Sequence, residues 1–326
     1  MRSLGLNLTL LLLGVMAFAA SLLAGRVWLP PESLGDLFFH RDSMAALIMG
    51  EIRLPRTVLA LVTGGVLGLA GAVLQGFTRN PLAEPALLGV SSGAALGAVI
   101  AIYFGLTLLS PAIGPLMGMM GGLAACALTF ALGRGGTVAL VLAGAAVSSL
   151  TAAGIALALN FAPNPYAAYE IMTWLLGSLA DKSWSQVLLI LPFVAVGMGV
   201  LALTGRGLDA LSLGEAQAQS LGINLTRLAA LTVAGTALSV GAVTSVTGAI
   251  GFIGLVAPHL VRPLVGYAPR KAMLPAMLAG AVLLLCSDIA ARLVHTNPEL
   301  RLGVFTSLLG TPFFFWLVVR IRKVAP

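Results

Sequence analysis

The few charges of the chain separate long apolar stretches in which no residue is charged. These stretches cover residues 3–25, 57–78, 85–133, 135–169, 183–205, 228–261, 272–287 and 302–319. A helix needs about 20 apolar residues to cross the hydrocarbon core of a membrane. Two stretches are too long for a single crossing: 85–133 contains a turn signal at Gly105–Pro115, and 228–261 is divided near Thr244–Gly248.

The pattern therefore predicts an all-α, polytopic membrane protein with about ten transmembrane helices. The fifth predicted span ends at a polar segment that contains prolines, Asn160–Pro165. Nine spans is the main alternative, because the division at Thr244–Gly248 rests only on length and small polar residues. We expect one transmembrane domain over residues 1–326. The predicted spans are 5–24, 56–76, 86–105, 113–132, 138–159, 186–204, 229–246, 250–266, 272–294 and 302–320.

Composition agrees with a membrane protein. Apolar residues make up 59% of the chain and charged residues 9%, whereas an ordinary soluble domain has about 45–50% and about 25%. A soluble globular protein and a disordered chain are therefore excluded. The first apolar run is longer than the roughly 7–15 residues of a signal-peptide core, so we expect it to be an uncleaved first helix.

The distribution of Lys and Arg predicts the orientation. With ten spans, both termini lie on one side, and that side carries eleven of these residues against seven on the other. Basic residues favour the cytoplasmic side, which places both termini in the cytoplasm and explains the net charge of +7 without nucleic acid. The seven on the outer side are Arg26, Arg41, Arg53, Arg56, Lys182, Arg292 and Arg301.

Small residues recur every four positions and predict close helix packing. One series is Gly64, Gly68, Ala72 and Gly76, and others run through Gly89–Gly97 and Gly114–Gly122. Helices in lipid associate where small residues let their backbones approach, so these stripes indicate helix contacts rather than a substrate site.

The chain carries no evident catalytic motif. Phosphate-loop, zinc-protease and nucleophile-elbow patterns are absent from the sequence, so we do not expect an enzyme. Asp288 is the one acidic residue within a predicted span, which argues against an ion-coupled relay. A polar connection of 24 residues, Gly205–Leu228, contains Gly214 and Gly222 and predicts two short helices. Such a connection is either a solvated loop or a docking surface for a soluble motor.

Seven motifs together resemble the permease subunits of type II ABC importers, the family that carries iron–siderophore complexes, haem and vitamin B12. They occur in the family's order over residues 51–316, nearly the whole chain. The motifs are EIRLPR at 51–56, NPLAEP at 80–85, GVSSG at 89–93, LGEAQAQSLG at 213–222, TGAIGFIGLVAPH at 247–259, SDIAAR at 287–292 and GTPFF at 310–314.

The resemblance implies a homodimer whose translocation path follows the subunit interface. Two ATP-binding cassette ATPases dock below it, and a periplasmic binding protein docks above. It further implies that Arg53, Arg56 and Arg292 pair with acidic residues of the binding protein, a task that suits the fixed charge and bidentate geometry of Arg. The alternatives are lipid-headgroup anchoring for Arg53 and Arg56, and a local pair with Asp288 for Arg292.

The resemblance also implies a cytoplasmic gate and a coupling surface. Asn80 and Leu82 match the gate, although an ordinary Pro-rich turn is the alternative, and Thr137 matches a second gate element less closely. The residues that match the ATPase-coupling helices are Leu213, Gly214, Glu215, Ala216, Ser220 and Gly222.

Transport is therefore expected to be driven by ATP hydrolysed in a partner. No cofactor or metal is expected in this chain, because ATP and Mg would be bound by the ATPase. The cargo would be haem, a ferric siderophore or a corrinoid, and nothing in the sequence separates them. An ion-driven carrier or channel and an oligomeric membrane scaffold are the alternative functions.

Overall fold

The computed structural model describes residues 2–25, 27–40, 42–133, 136–294, 296 and 299–324. Helices dominate this part of the chain, which contains no β-strand. The α-helices are α1 (Arg2–Leu23), α2 (Ser33–Phe39), α3 (Met44–Leu47), α4 (Leu54–Thr78), α5 (Val90–Tyr103), α6 (Ile113–Leu132), α7 (Thr137–Asn160), α8 (Pro165–Leu175), α9 (Trp184–Ala202), α10 (Gly205–Leu211), α11 (Glu215–Ser220), α12 (Leu225–Thr247), α13 (Ile253–Val261), α14 (Pro269–Leu293) and α15 (Leu302–Val324). A π-helical turn, Ile48–Arg53, joins α3 to α4, and 3-10 turns lie at Pro85–Leu88, Leu106–Leu108 and Arg262–Val265.

Seven helical stretches in the described residues are long and apolar enough to cross a membrane. Three shorter apolar helices accompany them: Val90–Tyr103, Ile253–Val265 and Leu302–Phe315. Each of the ten predicted spans coincides with one of these elements. The seven long stretches are Leu4–Leu23, Met44–Thr78, Ile113–Leu132, Thr137–Asn160, Trp184–Leu211, Leu225–Thr247 and Pro269–Leu293.

The division predicted near Thr244–Gly248 is confirmed. Helix α12 ends at Thr247, where Gly248 adopts φ +70°, and α13 begins at Ile253 after Phe252 at φ +67°. A right-handed α-helix requires a negative φ angle at every residue, so two positive φ angles within five residues interrupt it. The pattern missed α8, whose polar and aromatic residues follow the polar segment at Asn160–Pro165.

The fold is built around α4 and α12. In the most apolar 18 residues of each stretch, the buried share is 83% for Met44–Thr78, 72% for Leu225–Thr247 and only 11% for Leu4–Leu23. Helix α4 packs on α14, and α12 packs on α6 and α9. The first helix therefore lies at the perimeter, where it contacts α14.

The small-residue stripes mark these contacts, as predicted. A Cβ atom on Gly68 would overlap the carbonyl oxygen of Ala276 in α14, and one on Gly97 would overlap that of Met117 in α6. Only glycine allows the backbones to approach this closely.

Side-chain contacts define two ends of the bundle. The Glu215 end brings together the C-terminus of α4, the N-terminus of α7 and helix α11. The Asp288 end brings together the C-terminus of α1, the N-terminus of α4 and the C-terminus of α14. Helix α4 therefore runs from the Asp288 end to the Glu215 end. Three arginines that enter the predicted charge bias, Arg26, Arg41 and Arg134, lie outside the described residues.

Candidate functional site

Glu215 joins three segments at its end of the bundle. Its Oε1 accepts a hydrogen bond of 3.1 Å from the hydroxyl of Thr137, the first residue of α7. The same oxygen lies 3.7 Å from Nη2 of Arg79, which follows the last residue of α4. Arg79 and Glu215 are partly exposed, so their ion pair is weak on its own. Through Glu215, α11 therefore contacts both the N-terminus of α7 and the residue that follows α4.

Helix α11 has well-defined ends. Gly214 precedes it at φ +115°, where a side chain would collide with the amide of Gln217. After the helix, Gly222 at φ +81° donates to Gln219 O, and Ile223 N–H donates to Ala218 O. This is the Schellman arrangement that satisfies the last carbonyls of a helix.

One face of α11 is packed and the other is open. Ala218 is completely buried and anchors the helix. The other residues carry no charge and form an accessible surface, half polar and half apolar, of the kind that a soluble partner can contact. We define this α11 face as Leu213, Ala216, Gln217, Gln219, Ser220 and Leu221, all of which are exposed.

Helix α10 is tied to α14. The carboxylate of Asp209 accepts a hydrogen bond of 3.0 Å from the backbone N–H of Arg270, in the first turn of α14. An acidic group at this position satisfies an unpaired amide and interacts favourably with the helix dipole. This hydrogen bond holds the Gly205–Leu228 connection against the transmembrane bundle.

The turn after α4 has a defined conformation. Arg79 adopts the left-handed region, φ +52°, which ends the helix. The side-chain oxygen of Asn80 accepts a hydrogen bond of 2.9 Å from Leu82 N–H, and Asn80 O accepts one from Ala83 N–H. Pro81 excludes continuation of the helix. Asn80 is exposed and Leu82 is half-buried, so both predicted gate residues are at least partly accessible from outside the helix bundle.

A largely apolar cavity of about 490 Å³ lies beside Glu215 and Thr137. The ends of α4, α6, α7 and α10 and the beginning of α12 contribute to its wall. Its lining comprises Phe77, Phe130, Gly133, Gly136, Thr137, Leu140, Leu211, Glu215, Leu225, Thr226 and Ala229.

At the opposite end, Asp288 is paired with two arginines. Its side chain has no exposed area. Arg56 donates from Nε and Nη2 to the carboxylate at 2.8–3.1 Å, and Nη2 of Arg292 lies 2.9 Å from the other carboxylate oxygen. Nη2 of Arg56 also donates to Glu299, whose side chain is 30% exposed. The local Asp288–Arg292 pair expected as an alternative is therefore present.

Two arginines close the C-terminus of α1. Arg53 donates to the carbonyls of Leu22, Leu23 and Val27, at 2.9, 2.6 and 2.6 Å. Arg292 donates to the carbonyls of Ser21 and Ala24, each at 2.9 Å. The last carbonyls of a helix have no partner within it, and cations stabilise this end of the helix dipole. Both arginines are buried in these contacts.

Glu84 connects the turn after α4 to the loop before α13. Burial raises the pKa of its carboxyl group, and a hydrogen bond from the backbone N–H of Phe252 partly opposes this shift. The residue lies in a small recess with Pro85 and Gly254. Sequence reasoning passed over Glu84, because position alone does not distinguish a buried acid from a solvated one in a turn.

The structure therefore places the predicted residues in two groups. Thr137 and Glu215 are in direct contact, and Asn80 follows Arg79, which also approaches Glu215. Arg53, Arg56 and Arg292 share the Asp288 end, and their docking role stays a prediction. Arg79, which approaches Glu215, and Glu299, which pairs with Arg56, were missed.

The fold defines the class of the protein, an ABC transporter permease. It matches a solved metal-chelate type ABC transporter in an inward-facing conformation with a TM-score of 0.85 and 31% sequence identity, covering 97% of this chain and 99% of the other. The chain belongs to the FecCD transport family, whose profile matches residues 10–320.

Two curated relatives are similar over most of their length. The vitamin B12 import system permease protein BtuC of Klebsiella pneumoniae is 39% identical over 322 residues, which is 97% of this chain and 93% of the relative. The hemin transport system permease protein HmuU of Yersinia pestis is 40% identical over 283 residues, 84% and 83% of the two chains. The resemblance inferred from the seven motifs is confirmed.

Proposed function

We propose that this chain is the permease subunit of an importer that carries a haem, ferric siderophore or corrinoid across the bacterial inner membrane into the cytoplasm. ATP hydrolysis in two separate ATPase subunits drives the movement, and this chain itself holds no cofactor. Family membership and the names of the two relatives support this class of cargo.

The observation that carries the coupling part of the proposal is the contact of Glu215 with Thr137. Helix α11 presents its open face to an ATPase and its Glu215 to α7 and the turn after α4. A displacement of α11 by the ATPase is thereby transmitted to Thr137 and, through Arg79, to the segment that carries Asn80 and Leu82. These three residues form the gate at the cytoplasmic end of the path.

We further propose a homodimer with ten spans per subunit, in which the seven long helical stretches and the three shorter apolar helices all cross the membrane. Both termini and the Glu215 end then face the cytoplasm, in agreement with the excess of Lys and Arg on that side. The Asp288 end faces the periplasm and receives a soluble binding protein, for which Arg56 is the most accessible of the three predicted docking arginines.

Uptake in the native host tests the proposal. Cells that lack this gene are compared with wild type for uptake of labelled hemin, cyanocobalamin and ferric siderophores. The deletion should abolish uptake of one cargo class, and the wild-type gene should restore it. Loss of uptake on ATP depletion, but not on collapse of the proton gradient, is expected; the reverse would favour an ion-driven carrier. Unchanged uptake of every cargo would favour a scaffold.

Complementation with Glu215→Arg tests the coupling step. The substitution places a cation beside Arg79 and removes the acceptor of the Thr137 hydroxyl. Uptake should fall while the protein still reaches the membrane. The control is Lys271→Glu, which reverses an exposed charge that forms no ion pair within the described residues and should leave uptake unchanged. Normal uptake by Glu215→Arg would remove Glu215 from the coupling contact.

A further inference from the structure

The three arginines at the Asp288 end differ in the partners they already have. Arg53 donates to three backbone carbonyls, and Arg292 donates to two carbonyls, the Ser21 hydroxyl and Asp288. Both are buried, with 8% and 6% exposure. Both are therefore less accessible to a carboxylate from outside than Arg56, whose side chain is 13% exposed.

Arg56 has one fully buried partner, Asp288, and one partly exposed partner, Glu299. Asp288 is fully buried and binds both Nε and Nη2, whereas Glu299 binds Nη2 alone from a partly exposed position. Breaking the buried pair would leave uncompensated charges in the bundle. Breaking the partly exposed pair costs little, because water and salt already compete for it.

We propose that Glu299 is an internal stand-in for a carboxylate of the soluble binding protein: it occupies the accessible side of Arg56 until an acidic side chain of that protein replaces it. The proposal rests on the function proposed above and adds the residue that the partner must displace. Glu299 lies shortly before α15. Its release therefore frees the segment that leads into that helix at the moment of docking.

The surroundings of Glu299 favour an incoming acidic side chain. Arg301 follows two residues later, and a hydrogen bond from Gly303 N–H to Gly177 O holds this segment beside the loop that carries Lys182. Neither Arg301 nor Lys182 forms an ion pair with a carboxylate of the described residues. Burial lowers the pKa of the Lys182 amine, Asp181 partly opposes this, and Arg301 lowers it further, so Arg301 and Lys182 are close enough to interact electrostatically.

A restoration assay in spheroplasts of the native host measures docking directly. Spheroplasts are washed free of soluble envelope proteins, and the wash fraction is added back in increasing amounts while uptake of the labelled cargo is followed. Glu299→Gln keeps the shape of the side chain and removes its charge. The amount of wash fraction that gives half-maximal uptake should fall by about 1.5-fold to 5-fold, the factor that matches a partly exposed ion pair.

Three further variants and a change of salt concentration test the result. Arg56→Gln should raise the half-maximal amount, and Glu299→Gln combined with Arg56→Gln should match Arg56→Gln alone. Glu51→Gln removes an exposed charge from the π-helical turn and should change nothing. The advantage of Glu299→Gln should shrink at high salt, where exposed charges are screened.

Other outcomes overturn the inference. An unchanged or higher half-maximal amount for Glu299→Gln, at normal membrane levels, would make Glu299 a merely structural partner of Arg56. An advantage that depends on the anionic lipid content of the membrane and not on the wash fraction would identify a lipid phosphate as the occupant. If washed wild-type spheroplasts transport without any wash fraction, the proposed binding-protein-dependent function itself fails.

Discussion

Asp288 accepts two hydrogen bonds from Arg56 across 232 positions of the chain, at 3.0 Å from Nε and 2.8 Å from Nη2 to the same carboxylate oxygen. The pair fixes the beginning of α4 against the end of α14. These two helices are also in close contact through glycines nearer the middle of the bundle. The single acid of the predicted spans therefore connects two helices of the bundle.

Replacing Asp288 by Asn should strongly destabilise the protein. The change leaves Arg56 and Arg292 without their buried counter-charge, and removal of one member of a buried ion pair typically costs about 3–5 kcal/mol. The thermal unfolding midpoint in detergent should fall clearly. Glu51→Gln, in an exposed position, should remain close to wild type. An unchanged midpoint for Asp288→Asn would contradict the assigned role.

Arg53→Glu should reduce the amount of folded protein rather than docking alone. The new carboxylate would face the carbonyls of Leu22, Leu23 and Val27, which need donors. Arg56→Gln removes one of the two cations that face Asp288, but Arg292 remains paired with that carboxylate, so this variant should reach the membrane in larger amounts than Arg53→Glu. Membrane levels and size-exclusion profiles distinguish these outcomes. A normally folded Arg53→Glu variant that fails only in partner binding would instead support the docking role expected from the resemblance.

Thr137→Val should impair coupling, because it removes the hydroxyl that donates to Glu215 while keeping the size of the side chain. We expect uptake per transporter to fall by roughly two- to ten-fold, since hydrogen bonds to charged groups are stronger than neutral ones but this one is partly exposed. Thr137→Ser retains the donor and serves as the control. In a double-mutant cycle, Thr137→Val should add little to Glu215→Ala; full additivity would show that the contact carries no coupling.

Gly68→Ala should destabilise the packing of α4 on α14. The added methyl group would overlap the carbonyl of Ala276, and overpacking of this kind typically costs about 1–3 kcal/mol. Gly199 offers a matched control in α9, because a Cβ there meets nothing within 4 Å. Gly199→Ala should be neutral or stabilising, by up to about 1 kcal/mol. Equal unfolding midpoints for the two variants would count against the close approach.

Glu84→Gln should stabilise the protein at neutral pH and not in acid. Burial raises the pKa of Glu84 above its ordinary 4.5, so the folded state holds the proton more tightly than the unfolded state. Above the unfolded pKa the buried charge costs stability, and the cost grows until pH passes the folded pKa. Gln removes this cost and can still accept from Phe252 N–H. The gain in unfolding midpoint should disappear below about pH 4.5; a gain independent of pH would exclude ionisation as its cause.

Helix positions were readable from the sequence because the requirement to span a membrane acts on local composition. The predicted span 113–132 coincides with α6, and 138–159 differs from α7 by one residue at each end. Residues Gly214 and Gly222 correctly marked the ends of a short helix, since positive φ favours glycine wherever it occurs. Helix α8 escaped prediction because its exposed aromatics break the apolar pattern that identifies spans.

Contacts between distant residues could not be read in the same way. The sequence by itself determined an apolar, helical membrane protein, the places where its helices end, and the family motifs that contain Asn80, Glu215 and Arg292. Only the tertiary structure decided that Glu215 meets Thr137 and that the three arginines have different partners. The physical reason is that composition and hydrophobic length are local properties of a segment, whereas the partner of a charge depends on how helices far apart in the chain are packed together.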